Sequence, residues 1–303
     1  MSKVKTAVQL LPQMGEYYQL CKPKVVYLIL FTALAGMLLS SSSMVSIDIL
    51  FFGLLGIGLG AASGAAVNHW VDQHIDVIMA RTKNRPLPQG SISSRSALIF
   101  AISLGVLSML VLVSFVNVMT AILTLISLVG YAVIYTMFLK HSTPHNIVLG
   151  GAAGAAPPVL GWTAVTNELT VDALLLFLII FIWTPPHFWA LAIKRREEYK
   201  KAGVPMLPVT HGVQFTKLHI VLYTLMLLGV SMLPFVTQMS SYLYLAGSVG
   251  LGLGFVYYAL KLYISETDEY AMKTFGYSIF YLSMLFALLI ADHYLREIIH
   301  AYF

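Results

Sequence analysis

Asn68, Asp72 and Asp76 stand at four-residue spacing at the end of a long apolar stretch, and Arg81, Lys83 and Arg85 follow closely. On a continuing helix each step of four residues turns about 400°, so the three side chains drift only about 40° per step and share one face. Such a face is an oxygen cage. Two carboxylates and a carboxamide suit Mg²⁺, which leaves part of its shell to water and phosphate oxygens, and planar guanidinium forks grip the same phosphates in bidentate fashion. The pattern points to a metal-bound diphosphate held at a membrane surface.

The elements that must position these groups are membrane helices. Apolar residues make up 58% of the chain and charged residues 10%, against roughly 25% charged in a soluble domain. The apolar runs approach the roughly 20 residues needed to cross the hydrocarbon core as helices. The expected fold is an all-α integral membrane protein, a bundle of about nine transmembrane helices, near residues 25–43, 47–70, 96–116, 118–139, 145–165, 170–190, 217–236, 241–264 and 275–295. This divides the chain into a cytoplasmic N-terminal segment (1–24), one transmembrane domain (25–295) and a short C-terminal tail (296–303). Spans three and four are joined by almost nothing and are easily miscounted as one long helix. The single cysteine, Cys21, forms no intramolecular disulfide and offers no zinc or redox motif.

Charge checks the count. With a cytoplasmic N-terminus, all of the 18 Lys and Arg residues except Arg296 fall on the cytoplasmic side of nine spans, as the positive-inside rule requires. The net charge of +5 is therefore a topology signal. A nucleic-acid partner is not expected, because the basic residues flank spans and form no patch on a polar surface. The first span is not expected to be a cleaved signal peptide, since its apolar run exceeds the usual h-region and more than twenty residues precede it. The expected location is a cell membrane, with catalytic loops cytoplasmic and the C-terminus outside.

Two loops on that side mix acids and bases. One holds Asn68 to Pro88; the other holds Lys194, Arg195, Arg196, Glu197, Glu198, Tyr199, Lys200, Lys201 and Pro205. Solvated ion pairs and topology suffice to explain the second. They do not explain an Asn-x-x-x-Asp-x-x-x-Asp run reaching back into the membrane boundary, where ionisable groups are costly and functional by default.

The stretch NHWVDQHIDVIMARTKNRPLPQG, from Asn68 to Gly90, resembles the first aspartate-rich motif of the UbiA-type membrane prenyltransferases, and its NRPLP ending resembles their protoheme IX farnesyltransferase (heme O synthase) branch. YYQLCKPKVVYL at 17–28, YTMFLKHSTPHNIVLGGAAGAAPPVLGW at 135–162 and PPHFWALAIKRREEYKKAGVPMLPV at 185–209 are similar to the same branch. The resemblance covers residues 17 to about 210 with specific motifs; the last three spans match only as hydrophobic helices. It implies farnesyl diphosphate and heme B as substrates within the lipid bilayer, Mg²⁺ as cofactor, and an association with heme A synthesis or terminal-oxidase assembly. It also implies Asn68, Asp72 and Asp76 as Mg²⁺ ligands, direct or through water, with Arg81, Lys83, Arg85, Lys140, Lys194 and Arg195 as candidates for phosphate contacts. Topology alone also accounts for Lys140 and Lys194.

The second loop departs from the wider superfamily, in which many members carry a further Asp-x-x-x-Asp. Here Glu197 and Glu198 are adjacent, about 100° apart on a helix, so one faces the site and one solvent, and Glu198 is favoured. Its role stays open between a second metal and orientation of a lysine or arginine. His69, His141, His145 and His219 read as hydrogen-bonded structural histidines. His187, in PPHFW, is the exception, as an iron ligand, a base or a group that orients water. The run from Gly150 to Pro158 suits close helix packing, or room for a porphyrin. The same machinery acting on an aromatic quinone precursor is the nearest alternative. A secondary transporter would place its charges near the midplane, whereas these crowd one rim.

Overall fold

The computed structural model describes residues 14–41, 43–79 and 82–302. Among the described residues the chain is helical and has no strand. α1 (Met14–Leu20) meets α2 (Pro23–Leu39) at a 54° bend. Then follow α3 (Ile47–Asp76), α4 (Ser94–Phe115), α5 (Val118–Val129), a π-helical segment (Gly130–Leu139), α6 (Lys140–Ser142), α7 (Asn146–Ala155) and α8 (Pro157–Thr166). α9 (Val171–Lys194), α10 (Arg196–Lys201), α11 (Leu207–Thr210), α12 (Val213–Val230), α13 (Leu233–Val236), α14 (Tyr242–Ile264) and α15 (Glu269–Tyr302) complete the chain.

Among the described residues eight helices or continuous helix pairs are long and apolar enough to span a bilayer, and the bent α1–α2 pair makes a ninth when its two parts are taken as one span. The expected membrane bundle is therefore present. Neighbours pack in sequence, α2 on α3, α3 on α4 and α5, the π-helical segment on α7, α7 on α9, α9 on α12, α12 on α14 and α14 on α15; α15 returns to α2 and closes the ring. The outer surface bears many large apolar side chains, among them Ile102, Leu110, Ile126, Leu222 and Leu253, all about half exposed. In water such a surface would aggregate; in lipid it is solvated.

Spans three and four are separate helices. Asn117 makes the break: its side chain accepts from Thr120 N at 2.8 Å, capping α5, and donates to Thr163 O at 2.8 Å near the end of α8. α2 and α8 approach backbone to backbone. A Cβ on Gly36 would lie 2.0 Å from Pro158 O, and one on Gly161 would lie 1.9 Å from Ala33 O, so only glycine permits this contact at either place. The small-residue run of α7 and α8 serves packing in the same way, with Gly150 under the Tyr135 ring and Gly151 under Thr184.

Candidate active site

α3 continues well beyond its apolar stretch, and Asn68, Asp72 and Asp76 lie on its final turns, buried at 5%, 3% and 4% relative exposure. Buried carboxylates need cationic or hydrogen-bonding partners. Three cations arrive from three parts of the chain. Arg85 Nη1 donates to Asp76 Oδ2 at 2.6 Å, Lys140 Nζ lies 2.6 Å from Asp72 Oδ2, and Lys22 Nζ donates to Asn68 Oδ1.

Each cation is held by local structure. Arg85 sits in a tight loop in which its own N–H donates to Thr82 O at 3.0 Å and Thr82 Oγ1 donates to Asp76 O at 3.0 Å. The following Leu87 anchors that loop by packing in a buried cluster with Leu20 and Ala66. Lys22 occupies the bend between α1 and α2 with φ 49°, a left-handed conformation that is costly for a side-chain-bearing residue. Lys140 follows the π-helical segment, and its N–H donates to Tyr135 O five residues back. Asn146 Nδ2 donates to Lys140 O at 3.1 Å and pins that end.

Asn68 ties the set together, donating through Nδ2 to Asp72 Oδ2 at 2.9 Å and to Thr136 Oγ1 at 3.4 Å. Asp72 Oδ1 is a buried carboxylate oxygen without a hydrogen-bond partner among the described residues. That atom fits a hard cation. Among the described residues no three His, Cys, Asp or Glu side chains form a metal cluster, so Asn68, Asp72 and Asp76 would supply only part of a shell to a bound cation. Mg²⁺ characteristically fills the remainder with water and phosphate oxygens.

The second loop reaches the same end of the bundle, since Tyr135 of the π-helical segment lies within electrostatic reach of both Asp72 and Tyr199 of α10. Glu197 is turned outward and pairs with Arg196 at 3.0 Å. Glu198 is more sheltered; its Oε1 lies 3.7 Å from Arg195 Nη1, and its Oε2 is buried without a hydrogen-bond partner. Lys83 and Lys194 are exposed and form no ion pair among the described residues. Arg81 lies outside the described residues.

His187 is not part of the carboxylate cluster. Its ring is stacked between Trp183 at 4.2 Å and Phe275 at 4.5 Å, and its Nδ1 lies 2.6 Å from Ser278 Oγ. It joins α9 to α15. His219 Nδ1 lies 2.9 Å from Phe215 O, His69 is buried on α3, and His145 precedes the first turn of α7.

Two residues of the cluster were not among the sequence candidates. Lys22 had been accounted for by topology, although its place before Pro23 was a signal of a fixed bend. Thr136 had no signal, because nothing in its neighbourhood distinguishes a π-helical segment from ordinary apolar helix.

A closed ring of membrane helices with buried carboxylates and cations at one end defines an integral membrane protein with a charged site at one rim of an apolar bundle. The UbiA prenyltransferase family model matches residues 29–287, and the chain belongs to that family. It is 64% identical over 280 residues to the protoheme IX farnesyltransferase of Thioalkalivibrio sulfidiphilus, covering 92% of this chain and 93% of that one. It is 61% identical over 282 residues to the protein of the same name from Nitrosococcus oceani, covering 93% and 94%. Solved structures share the fold: a digeranylgeranylglyceryl phosphate synthase (TM-score 0.80, 20% identity, 93% of this chain and 99% of that one) and a UbiA homolog from Archaeoglobus fulgidus bound to DMAPP and Mg²⁺ (0.64, 17%, 90% and 99%).

Proposed function

We propose that this chain transfers the farnesyl group of farnesyl diphosphate to a vinyl group of heme B, with addition of water, giving heme O and diphosphate. The observation that carries the reading is the convergence of Lys22, Arg85 and Lys140 on Asp72, Asp76 and Asn68. Three cations beside two carboxylates leave positive charge for a diphosphate. The protoheme IX farnesyltransferase name of the relatives directs the acceptor to heme.

Mg²⁺, held by Asn68, Asp72 and Asp76, would supply charge neutralisation on the departing diphosphate. Arg85 presents a planar fork and Lys22 and Lys140 present point charges; all three stabilise negative charge as the farnesyl C1–oxygen bond breaks. Arg195 and the exposed Lys194 and Lys83 lie further out and suit capture of diphosphate at the rim, with Arg81 in the same role from the first loop. Glu198 orients Arg195. The apolar bundle excludes water from the allylic carbon until the vinyl carbon attacks it. Water then adds to the benzylic-type cation left on the heme side chain, and a proton is lost to solvent. His187 contributes on the heme side, from the α9–α15 interface.

The active site faces the cytoplasm in this reading, which the Lys and Arg distribution supports. The product would feed heme A synthesis or terminal-oxidase assembly. Membranes containing the protein, given heme B, farnesyl diphosphate and Mg²⁺, should accumulate a heme heavier by one farnesyl group and one hydroxyl group, with diphosphate released. Unchanged heme beside a prenylated 4-hydroxybenzoate or naphthoate would keep the transferase and reject the heme acceptor.

A further inference from the structure

Thr136 lies in the π-helical segment and is fully buried, and among the described residues its hydroxyl makes no hydrogen bond to a carboxylate or a cation of the cluster. Its hydroxyl donates to Tyr131 O, five residues back, at 2.7 Å. A hydroxyl has one proton, so toward any further neighbour Thr136 Oγ1 can only accept. The neighbour is the Asn68 carboxamide, whose two ends differ by a donor and an acceptor. With Nδ2 facing Thr136 and Asp72, the Oδ1 end is turned the other way, where it receives Lys22. A flipped carboxamide would set Oδ1 against the lone pairs of Thr136 and against the Asp72 carboxylate.

We infer that Thr136 is a positioning residue that fixes the orientation of the Asn68 carboxamide and so keeps Oδ1, its only ligating atom, turned outward with one lone pair on Lys22 and the second left for the metal-diphosphate. The backbone geometry is part of the device. Hydrogen bonding five residues back marks a π-helical turn, an irregularity that recurs at functional sites, and it is within this segment that the Thr136 hydroxyl reaches Tyr131 O. Groups that orient a ligand without touching the metal typically change metal affinity by 10- to 100-fold on removal. The inference rests on the Mg²⁺ role proposed for Asn68.

The test uses purified full-length protein in lipid nanodiscs with an unreactive farnesyl thiodiphosphate, and Mn²⁺ as the paramagnetic probe titrated by electron paramagnetic resonance. Thr136→Val keeps the shape and removes the acceptor; Thr136→Ser keeps the acceptor. Mn²⁺ affinity should fall about tenfold or more in Thr136→Val and stay near wild type in Thr136→Ser. In an Asn68→Asp background, whose two oxygens are equivalent and need no orientation, Thr136→Val should have no weakening effect. Equal Mn²⁺ affinity in wild type and Thr136→Val overturns the inference while leaving the metal site intact. The same loss in the Asn68→Asp background reduces Thr136 to a packing residue and also overturns it. Wild type that binds no Mn²⁺ would remove the metal reading and this inference together.

Discussion

Lys22 and Asn68, 46 residues apart in the chain, are joined by a hydrogen bond from Nζ to Oδ1, which links the bend before α2 to the carboxylate face of α3. The amine has the cations Arg85 and Lys140 as electrostatic neighbours, so an added anion relieves the repulsion among the three. A diphosphate is such an anion. Lys22→Met should therefore lower kcat by about 10²-fold, the scale of losing one preorganised donor to developing charge. Lys22→Arg should recover part of the loss. Steady-state kinetics at matched membrane abundance decide; unchanged kcat in Lys22→Met would leave the residue with topology alone.

Asp72 and Asp76 are the anionic members of the face, and each has a cationic partner at 2.6 Å. Asp72→Asn and Asp76→Asn keep size and hydrogen bonding but halve the anionic charge offered to Mg²⁺. Turnover should vanish in either variant while insertion and folding persist, and chelation of Mg²⁺ should do the same to wild type. Near wild-type activity of either variant at saturating Mg²⁺ would rule out the ligand assignment.

Arg85→Lys retains positive charge on the loop but loses the fork. The Asp76 contact can be kept by an ammonium; bidentate phosphate contact cannot. Use of farnesyl diphosphate should worsen about tenfold, a loss of roughly 1.4 kcal/mol, with no change of orientation by cysteine-accessibility mapping. If the kinetics are untouched, Arg85 serves only to hold Asp76 and the loop.

His187 is sandwiched by Trp183 and Phe275 at the α9–α15 interface, away from the diphosphate contacts. His187→Ala should weaken heme binding or transfer and leave Mg²⁺-dependent binding of farnesyl diphosphate nearly intact. Separate titrations with the two substrates measure this. Parallel loss of both would identify the residue as a clamp between the two helices.

Gly161→Ala tests the α2–α8 contact. The new Cβ would meet Ala33 O at 1.9 Å, and forced backbone displacement of this kind costs about 1–3 kcal/mol. The melting midpoint in detergent should fall by several degrees. Gly229→Ala inside α12, where a Cβ meets nothing within 4 Å, is the control and should be neutral or mildly stabilising.

The sequence by itself determined the membrane bundle and the polar face of α3. Hydropathy marks spans because hydrocarbon tolerates only long apolar helices, and the spacing of Asn68, Asp72 and Asp76 becomes one face because helical periodicity is local. Where α3 ends was not legible, nor was the π-helical segment, since both depend on how neighbouring helices satisfy the backbone. Tertiary structure alone chose which cations meet the carboxylates: Lys22, which the sequence marked only for topology, and Lys140 come inward, whereas Lys83 and Lys194, candidates on the same footing as Lys140, stay at the surface. It also separated His187 from the cluster and turned Glu197 outward. The physical reason is common to these cases. Contacts such as Lys22 with Asn68 and Asn68 with Thr136 span 46 and 68 residues, and no local periodicity encodes a distance that only the closing of the helix ring brings down to hydrogen-bonding range.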